Sequence, residues 1–545
     1  MENQFESRNV SHTMQQLRIP ITDTHRFSQI VTDYLQADPK LRNYYTYPVN
    51  LPAFAEAIAD KAKENINRAR LVEVLQEQNT GLQLSARTQQ HIHDLVSKNT
   101  YCVVTAHQLN IFTGPLYVIY KTISTICLCA RLQAQYPDKR FVPVFWLGSE
   151  DHDFAEINHT SVFGREYSWD DQQGGACGRY TLESIQPLLG SLIAALGEGQ
   201  NASDLSQMLR NAYAPEHSLA QASRTLLNDL FGRFGLVVVD GDDKRLKQEC
   251  LSIIVDELQH RSAARIIAET MRHFPYPAQA TAREINLFYL DAQLRERIVY
   301  DAHTDVFTVL NTTMRFSMDE MVHIARLHPE RFSPNVILRP LFQQKVLPSV
   351  AYIGGGGELA YWLQLKEVFS HHMIAFPMVM LRDSFLLLDA PVARKLQKLG
   401  LQVADMFTSE HTVIEEFVRR NADAPLEIQA ELQTAEEMFF RLAERVRSMD
   451  PGLESTVLAE RQAMLNSLQK LEAKLLKAQK GKMEVQVKQV SALYQKLFPA
   501  GGLQERKDNF IPWFLHLGPR FLDILLEAAE QPVTGFTILT EASPA

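Results

Sequence analysis

The sequence predicts an α/β fold: a Rossmann-like, doubly wound parallel sheet with helical insertions and an antiparallel coiled-coil arm. Three observations predict it. Short apolar runs alternate with helix-period segments, the pattern of a parallel sheet. Polar or glycine-rich clusters follow several of those runs. Late in the chain, apolar residues recur at three- and four-residue steps over two long stretches.

The strand runs come in order. Tyr101–Ala106 reads as a buried strand, and Leu116, Ile119, Tyr120, Ile123, Cys127 and Ala130 then recur at helical spacing. Phe141–Leu147 is a second strand. Gly235–Asp240 is a third, ending in Gly241-Asp242-Asp243. Ser349–Ile353 runs into four glycines, Gly354–Gly357, before a helix pattern from Glu358. Phe376–Leu381 is the last. Residues before 100 read as helical, with Phe54, Ile58 and Ala62 on one face. The predicted organisation is a helical N-terminal region with the first part of the core over 1–164, an insertion over 165–230, core over 231–264, and an insertion over 265–335. The second part of the core follows over 336–424, then the arm over 425–498 and a C-terminal segment over 499–545 that packs on the core.

In the arm, Leu432, Ala435, Phe439, Leu442, Val446 and Met449 form one seam. Asp450-Pro451-Gly452 breaks it. Leu458, Leu465, Leu468 and Leu475 form a second, with Arg461 and Glu472 at the two missing positions. Two seams joined by a tight turn predict a helical hairpin. Polar residues dominate outside the seam, which predicts a protruding arm and, through its exposed surface, a homodimer.

Bulk properties narrow the class. A chain of 545 residues needs more than one core. Its 46% hydrophobic and 22% charged residues suit a globular protein. A net charge of −9 argues against a large nucleic-acid footprint, which needs a basic face. The five cysteines lack paired spacing, and reduced thiols are expected. The first twenty residues show no apolar signal core, and no stretch approaches the ~20 apolar residues of a membrane span. A cytoplasmic protein without nucleic-acid or membrane partners is expected.

In open α/β sheets, ligands bind outside the carboxyl ends of strands. Three polar clusters at three such ends predict one shared site. After the first strand lie His107, Gln108, Asn110 and Thr113, with Gly114-Pro115 at the helix start. His107 and Gln108 suit an anionic group; the alternative for His107, as for Thr113, is a helix cap. Lys121 shares a helix face with Tyr117 and reads as solvated, an anion contact being the alternative. After the second strand come Asp151, His152 and Asp153. In an extended stretch the two aspartates face one way and His152 the other. Two carboxylates together hold an ammonium or a metal, or accept a proton from an amine. A metal site needs more ligands, and only Glu150, Glu156 and His159 are near, so none is predicted. Capping the next helix is the bland alternative. Arg339 and Gln343 precede the glycine turn. Arg339 offers a fork for a carboxylate or forms a structural ion pair. Gly355 and Gly356 expose backbone N–H groups at a helix start, Glu358 either complements the helix dipole or binds an amine, and Arg382-Asp383 end the last strand toward the same cleft. Arg506, Lys507 and Asn509 are candidate nucleotide contacts.

The strings HQLNIFTGPLY, FWLGSEDHDFAEIN, NLFY at Asn286–Tyr289 and HPERFSPNVILRPLFQQKVLPSVAYIGGGGELAYW, with QER at Gln504–Arg506, carry a family resemblance. The chain resembles the bacillithiol-biosynthesis cysteine-adding enzymes, the cysteine ligase family, over nearly its whole length. The resemblance implies a synthetase-like nucleotide-binding core with a coiled-coil arm. It implies joining of L-cysteine to glucosaminyl-malate, the last step of bacillithiol synthesis, with the malyl carboxylates near His107 and Arg339 and the cysteine ammonium near Asp151 and Asp153. Amide formation needs an activated carboxyl, so ATP, with Mg2+, is the expected energy source. His107-Gln108-Leu109-Asn110 sits where synthetase-like proteins carry their HIGH signature but lacks its glycine and second histidine, and no KMSKS-like loop is present. The alternatives are an adenylate-forming or nucleotidyl-transfer enzyme with another acceptor, or a non-catalytic nucleotide-binding scaffold. The scaffold leaves Asp151–Asp153 without a task.

Overall fold

The computed structural model describes residues 14–542. Within them the chain forms two compact units. The first comprises 14–22, 26–386 and 505–539; the second comprises 23–25, 387–504 and 540–542.

The first unit is built on a five-stranded sheet. Its strands are β1 (Thr100–His107), β2 (Arg140–Leu147), β3 (Val237–Asp240), β4 (Ser349–Gly354) and β5 (Met378–Leu381). The order is β5-β4-β1-β2-β3, and every pairing is parallel. Alternation along the strands explains the layers. Cys102, Val104 and Ala106 join one core cluster, while Tyr101 and Val103 join another on the opposite face. Both faces are covered, which is why these strands read as continuous apolar runs. Helix α1 (Tyr117–Gln135) follows β1. Helix α2 (Arg339–Val346) precedes β4, and α3 (Gly356–Trp362) follows it.

The strand order reverses between β1 and β4, so the crevice for a ligand opens above their carboxyl ends. Register aligns those ends. His107 pairs with Leu147, Leu147 with Asp240, and Gly354 with Leu381.

The insertion over 265–335 differs from the helical character expected. It carries a five-stranded antiparallel sheet with order 315–317, 306–309, 294–301, 287–291 and 332–334. Its strands are short and mix charge with apolar residues, as in LRERIVYD, so they lack the strong runs of the core.

The second unit contains the hairpin: α4 (Gln429–Arg447) and α5 (Glu454–Lys482), joined through a turn at Pro451–Leu453. Asp450 accepts the Gly452 N–H at 2.9 Å and closes that turn. The first seam is as expected through Leu432, Ala435, Phe439, Leu442 and Val446, whereas Met449 is exposed. The second needs correction. Its inner face runs Val457, Arg461, Leu465, Leu468, Glu472, Leu476 and Gln479. Leu458 and Leu475 are 43% and 41% exposed. A straight helix turns every 3.6 residues, so a strict heptad drifts off its face, and four-residue steps bring Val457 and Leu476 inward instead. Glu472 accepts from Arg419 at 2.9 Å at this inner face.

Met438, Phe440, Leu458, Met464, Leu471 and Leu475 leave apolar surface exposed on the hairpin. If this surface pairs two chains, light scattering should find a dimer for the full chain and a monomer once 431–479 is replaced by a short linker, with ligand binding at the sheet retained. A shortened protein that stays dimeric removes the arm from that role.

Candidate active site

The reversal of strand order gives the site its place. A cleft of about 750 Å³ lies over the carboxyl ends of β1, β2 and β4, within the usual size of small-ligand sites. His107, Gln108, Asp151, His152, Asp153, Arg339, Gly355, Glu358, Arg382 and Arg506 all border it.

The two turns beside β1 and β2 are held together through backbone. Gly148 donates to the His107 carbonyl at 2.7 Å. A Cβ at Gly148 would lie 2.9 Å from that oxygen, so only glycine allows the approach. His107 Nδ1 is 3.1 Å from the Gln108 carbonyl. A carbonyl only accepts, so Nδ1 carries the proton and Nε2 keeps its lone pair. Burial, with Lys121 nearby, pushes the His107 pKa down to about 4. The ring is therefore neutral at physiological pH and its Nε2 accepts.

Gln108 donates to Asp151 Oδ2 at 2.9 Å and to Glu156 at 2.6 Å. Asp151 Oδ1 accepts the His152 N–H at 2.8 Å and the Asp153 N–H at 3.4 Å. The stretch is thus a turn before a short helix at Phe154–Ile157, not an extended strand. The expected alternation of faces is replaced: Asp151 and His152 both meet Arg295. Its guanidinium donates to His152 Nδ1 at 2.7 Å and stands 3.7 Å from Asp151. Burial raises the Asp151 pKa, but the Arg295 charge and the Gln108 amide more than reverse this and hold it below the usual carboxylate range. Burial and the same guanidinium lower the His152 pKa. Asp153 makes no side-chain cap and lies open to the cleft.

On the other side, Lys121 corrects the expectation of a solvated lysine. It is buried, donates to the Ala106 carbonyl at 2.6 Å and pairs with Glu358 at 2.6 Å. Glu358 also accepts the Gly355 N–H at 2.9 Å and the Tyr352 hydroxyl at 2.6 Å. Burial opposes its charge, but Lys121 and these donors hold its pKa at about 2. Glu358 is accordingly a committed structural anion. Arg382 binds Glu505 through two N–H groups at 3.0 and 2.6 Å, and its Nε is buried with no hydrogen-bond partner among the described residues. Arg339 is half-buried at the cleft beside Tyr361, with the Asp151 charge in reach.

Other predicted contacts fall elsewhere. Asn110 donates to the Glu156 carbonyl at 3.3 Å, and Thr113 takes φ 67°; both line a separate small cavity, not the cleft. Thr113 caps no helix, because α1 begins only after Leu116. Gln343 is buried within the first unit. A side chain at Gly356 would press on Val31, so that glycine serves helix packing. Asp383 is fixed by Ser124, Glu530 and Gln531. Lys507 is exposed and pairs with Glu166 at 3.5 Å. Asn509 is buried and donates to the Phe112 and Gly114 carbonyls at 2.9 and 2.7 Å, so it is a loop clamp, not a nucleotide contact. Glu150 turns away to Lys247 at 2.5 Å. All five cysteines are buried and free.

Sequence reasoning missed Arg295, Phe288 and Arg283, all cleft residues from the inserted sheet or its approach. Arg295 stacks on Phe288, 4.0 Å from the ring centre. The one available cue was an arginine in an alternating strand pattern just after NLFY.

A Rossmann-like sheet, a cleft at its switch point and a helical hairpin define a class: a small-molecule-binding α/β protein with a coiled-coil appendage. Comparison with known families then places the chain. Residues 14–383 match the N-terminal Rossmann-like domain, and residues 385–541 the C-terminal coiled-coil domain, of the bacillithiol biosynthesis protein BshC. The chain belongs to that family. It is 37% identical to a Flavobacterium johnsoniae protein named "Putative cysteine ligase BshC", over 94% of this chain and 97% of that one. A Cytophaga hutchinsonii protein of the same name is 38% identical over 92% and 94%. A more distant one from Lysinibacillus sphaericus is 27% identical over 94% and 97%. No helix among the described residues is long and apolar enough to cross a membrane.

The Lys121–Glu358 pair generates a stability prediction. Glu358→Gln leaves a buried ammonium unpaired and is expected to cost about 3–5 kcal/mol, read as a lower urea midpoint at unchanged slope. Lys121→Met in the same background should recover most of it. Because the folded Glu358 pKa is depressed, the pair's contribution is complete above the unfolded value of 4.5 and is lost as pH falls through about 2. An unchanged midpoint in the single variant would show that the pair is not what holds the two turns.

Proposed function

We propose that this chain joins L-cysteine to the amine of glucosaminyl-malate, the last step of bacillithiol biosynthesis, as a cytoplasmic, ATP-dependent ligase. Membership in the family and the name its relatives carry support a cysteine ligase. One observation carries the site assignment. A single cleft gathers the carboxylates Asp151, Asp153 and Glu156 with the guanidinium groups of Arg295, Arg339, Arg382 and Arg506. A substrate pair with an ammonium at one end and two carboxylates at another needs both kinds of group in one pocket.

The chemistry breaks one C–O bond of the cysteine carboxyl, forms a C–N bond to the sugar amine, and removes a proton from that nitrogen. Asp151 is unsuited to take it. Its oxygens are occupied by Gln108 and two backbone N–H groups, and Arg295 holds it ionised. It orients the turn and presents negative charge to an ammonium. Asp153 is open and is the proton acceptor in this reading. Arg339 clamps a malyl carboxylate in a planar fork. His107, neutral, accepts a hydrogen bond at Nε2 from a substrate hydroxyl or ammonium. The buried, unpartnered Nε of Arg382 fits an anionic group, and with Arg506 it would hold the phosphates of ATP. ATP, when bound with Mg2+, supplies activation of the cysteine carboxyl; no residue set for the Mg2+ is assigned.

The test is incubation of the purified protein with cysteine, glucosaminyl-malate and ATP, with bacillithiol followed by thiol labelling and mass spectrometry. Product that depends on all three supports the reading; no product removes it. Asp153→Asn is expected to lower kcat by about 10²-fold or more with the melting temperature preserved. Asp151→Asn should lose activity too and raise KM for cysteine. Arg339→Lys should raise KM for glucosaminyl-malate selectively. Near-normal turnover in both aspartate variants would return that turn to a structural role.

A further inference from the structure

Outside the cleft, one cluster has the composition of a metal centre. Asp256 lies on the helix Leu251–His260. His371 ends the helix Lys366–His371, and His372 is its cap residue. Adjacent residues inside a helix point about 100° apart. Here the helix stops at His371, and Met373 turns the chain with φ 55°, so both imidazoles reach the same carboxylate. His371 Nε2 is 3.2 Å from Asp256 Oδ2, and His372 Nε2 is 3.8 Å from the same oxygen. The ligand atoms of all three residues lie within 4.8 Å of one another. A tetrahedral zinc ion with bonds near 2.1 Å sets its ligands roughly 3.4 Å apart, so small side-chain adjustments close the set.

A second observation points to a missing partner. The His372 side chain is only 8% exposed, and its Nε2 is buried without a hydrogen-bond partner among the described residues. Buried polar nitrogens are almost always satisfied. This one faces the Asp256 carboxylate at a distance too long for a hydrogen bond and suitable for a shared ion. Support behind the ligands is present, since the Ser262 hydroxyl donates to Asp256. His371 is 34% exposed, which leaves an entry path and an open coordination position. Lys345 is the nearby cation opposing the site.

We propose that Asp256, His371 and His372 bind a late first-row divalent cation, zinc foremost, at a site distinct from the cleft. Two imidazoles and one carboxylate favour such ions over Mg2+ and Ca2+, which prefer oxygen ligands alone. None of the three residues borders the cleft, so the ion takes no part in amide formation. It ties the helix carrying Asp256 to the helix ending at His371, both within the first unit.

The test uses the full chain, stripped with EDTA and exchanged into chelator-free buffer. Titration with Co2+ is expected to give a visible d–d band at one equivalent, displaced by Zn2+, and calorimetry with Zn2+ should show one site per chain. His371→Ala, at an exposed position, should weaken binding at least tenfold and abolish the zinc-dependent rise in melting temperature. Asp256→Asn should do the same. His372→Ala tests the buried ligand; if that variant fails to fold, the other two still decide. Equal affinity in wild type, His371→Ala and Asp256→Asn, or no saturable binding in wild type, overturns the site.

Discussion

The pair of buried Lys121 and half-buried Glu358 is the constraint on which the cleft depends. The sheet alone sets its strands in register but does not fix the turns that leave them. Lys121 Nζ reaches the Ala106 carbonyl at the end of β1, and Glu358 receives the Gly355 N–H at the end of β4. The helices that follow β1 and β4 are therefore joined near their starts, beside the reversal of strand order. An ammonium this deep is tolerated only because its partner is also held by Tyr352 and by backbone. Glu358 is accordingly committed to structure, while its exposed side borders the cleft.

The same logic sorts the remaining charges. Arg382 and Glu505 form a buried pair. Yet the pair consumes only part of the guanidinium, and Nε stays free while its residue borders the cleft. Asp151 is likewise satisfied from one side by Gln108 and backbone, with Arg295 behind it. Groups already satisfied by the protein give the cleft its shape and standing potential. Groups with unused capacity, Asp153, Arg382 Nε and His107 Nε2, belong to residues that border the cleft. Preorganised charge of this kind needs no rearrangement when a ligand arrives.

How much of this the sequence disclosed follows from how local each signal is. The five core strands were legible because strands buried on both faces leave unbroken apolar runs. His107, Asp151 and Gly355 were legible because they directly follow such runs. Lys121 was not, since helical spacing says which residues share a face but not whether a carboxylate 237 positions later will meet that face. Arg295 was invisible for the same reason: its place beside Asp151 arises from an antiparallel sheet whose short, charged strands carry little pattern. Asn509 was misread because a buried asparagine clamping two loop carbonyls has the same local sequence context as an exposed one. In the arm, apolar identity at Leu458 and Leu475 suggested a strict heptad, whereas 3.6-residue geometry turns Val457 and Leu476 inward in their place and keeps Arg461, Leu465, Leu468 and Glu472 on the expected seam.

The inserted sheet shows why the site could not be assembled from the core alone. A doubly wound sheet offers strand ends and helix starts, which are rich in backbone donors and suited to anions. Recognition of an ammonium requires carboxylates placed against a countercharge, or they would repel one another and rise in pKa. Arg295 supplies that countercharge from outside the core, stacked on Phe288 so that it is desolvated and fixed. With Arg295 removed, burial acting on Asp151 would be unopposed by its strongest cation, and the carboxylate would move toward protonation. The insertion thus adds a fixed cation for the partner carboxylate Asp151 at the anion-binding strand ends, so that one pocket holds both signs of charge.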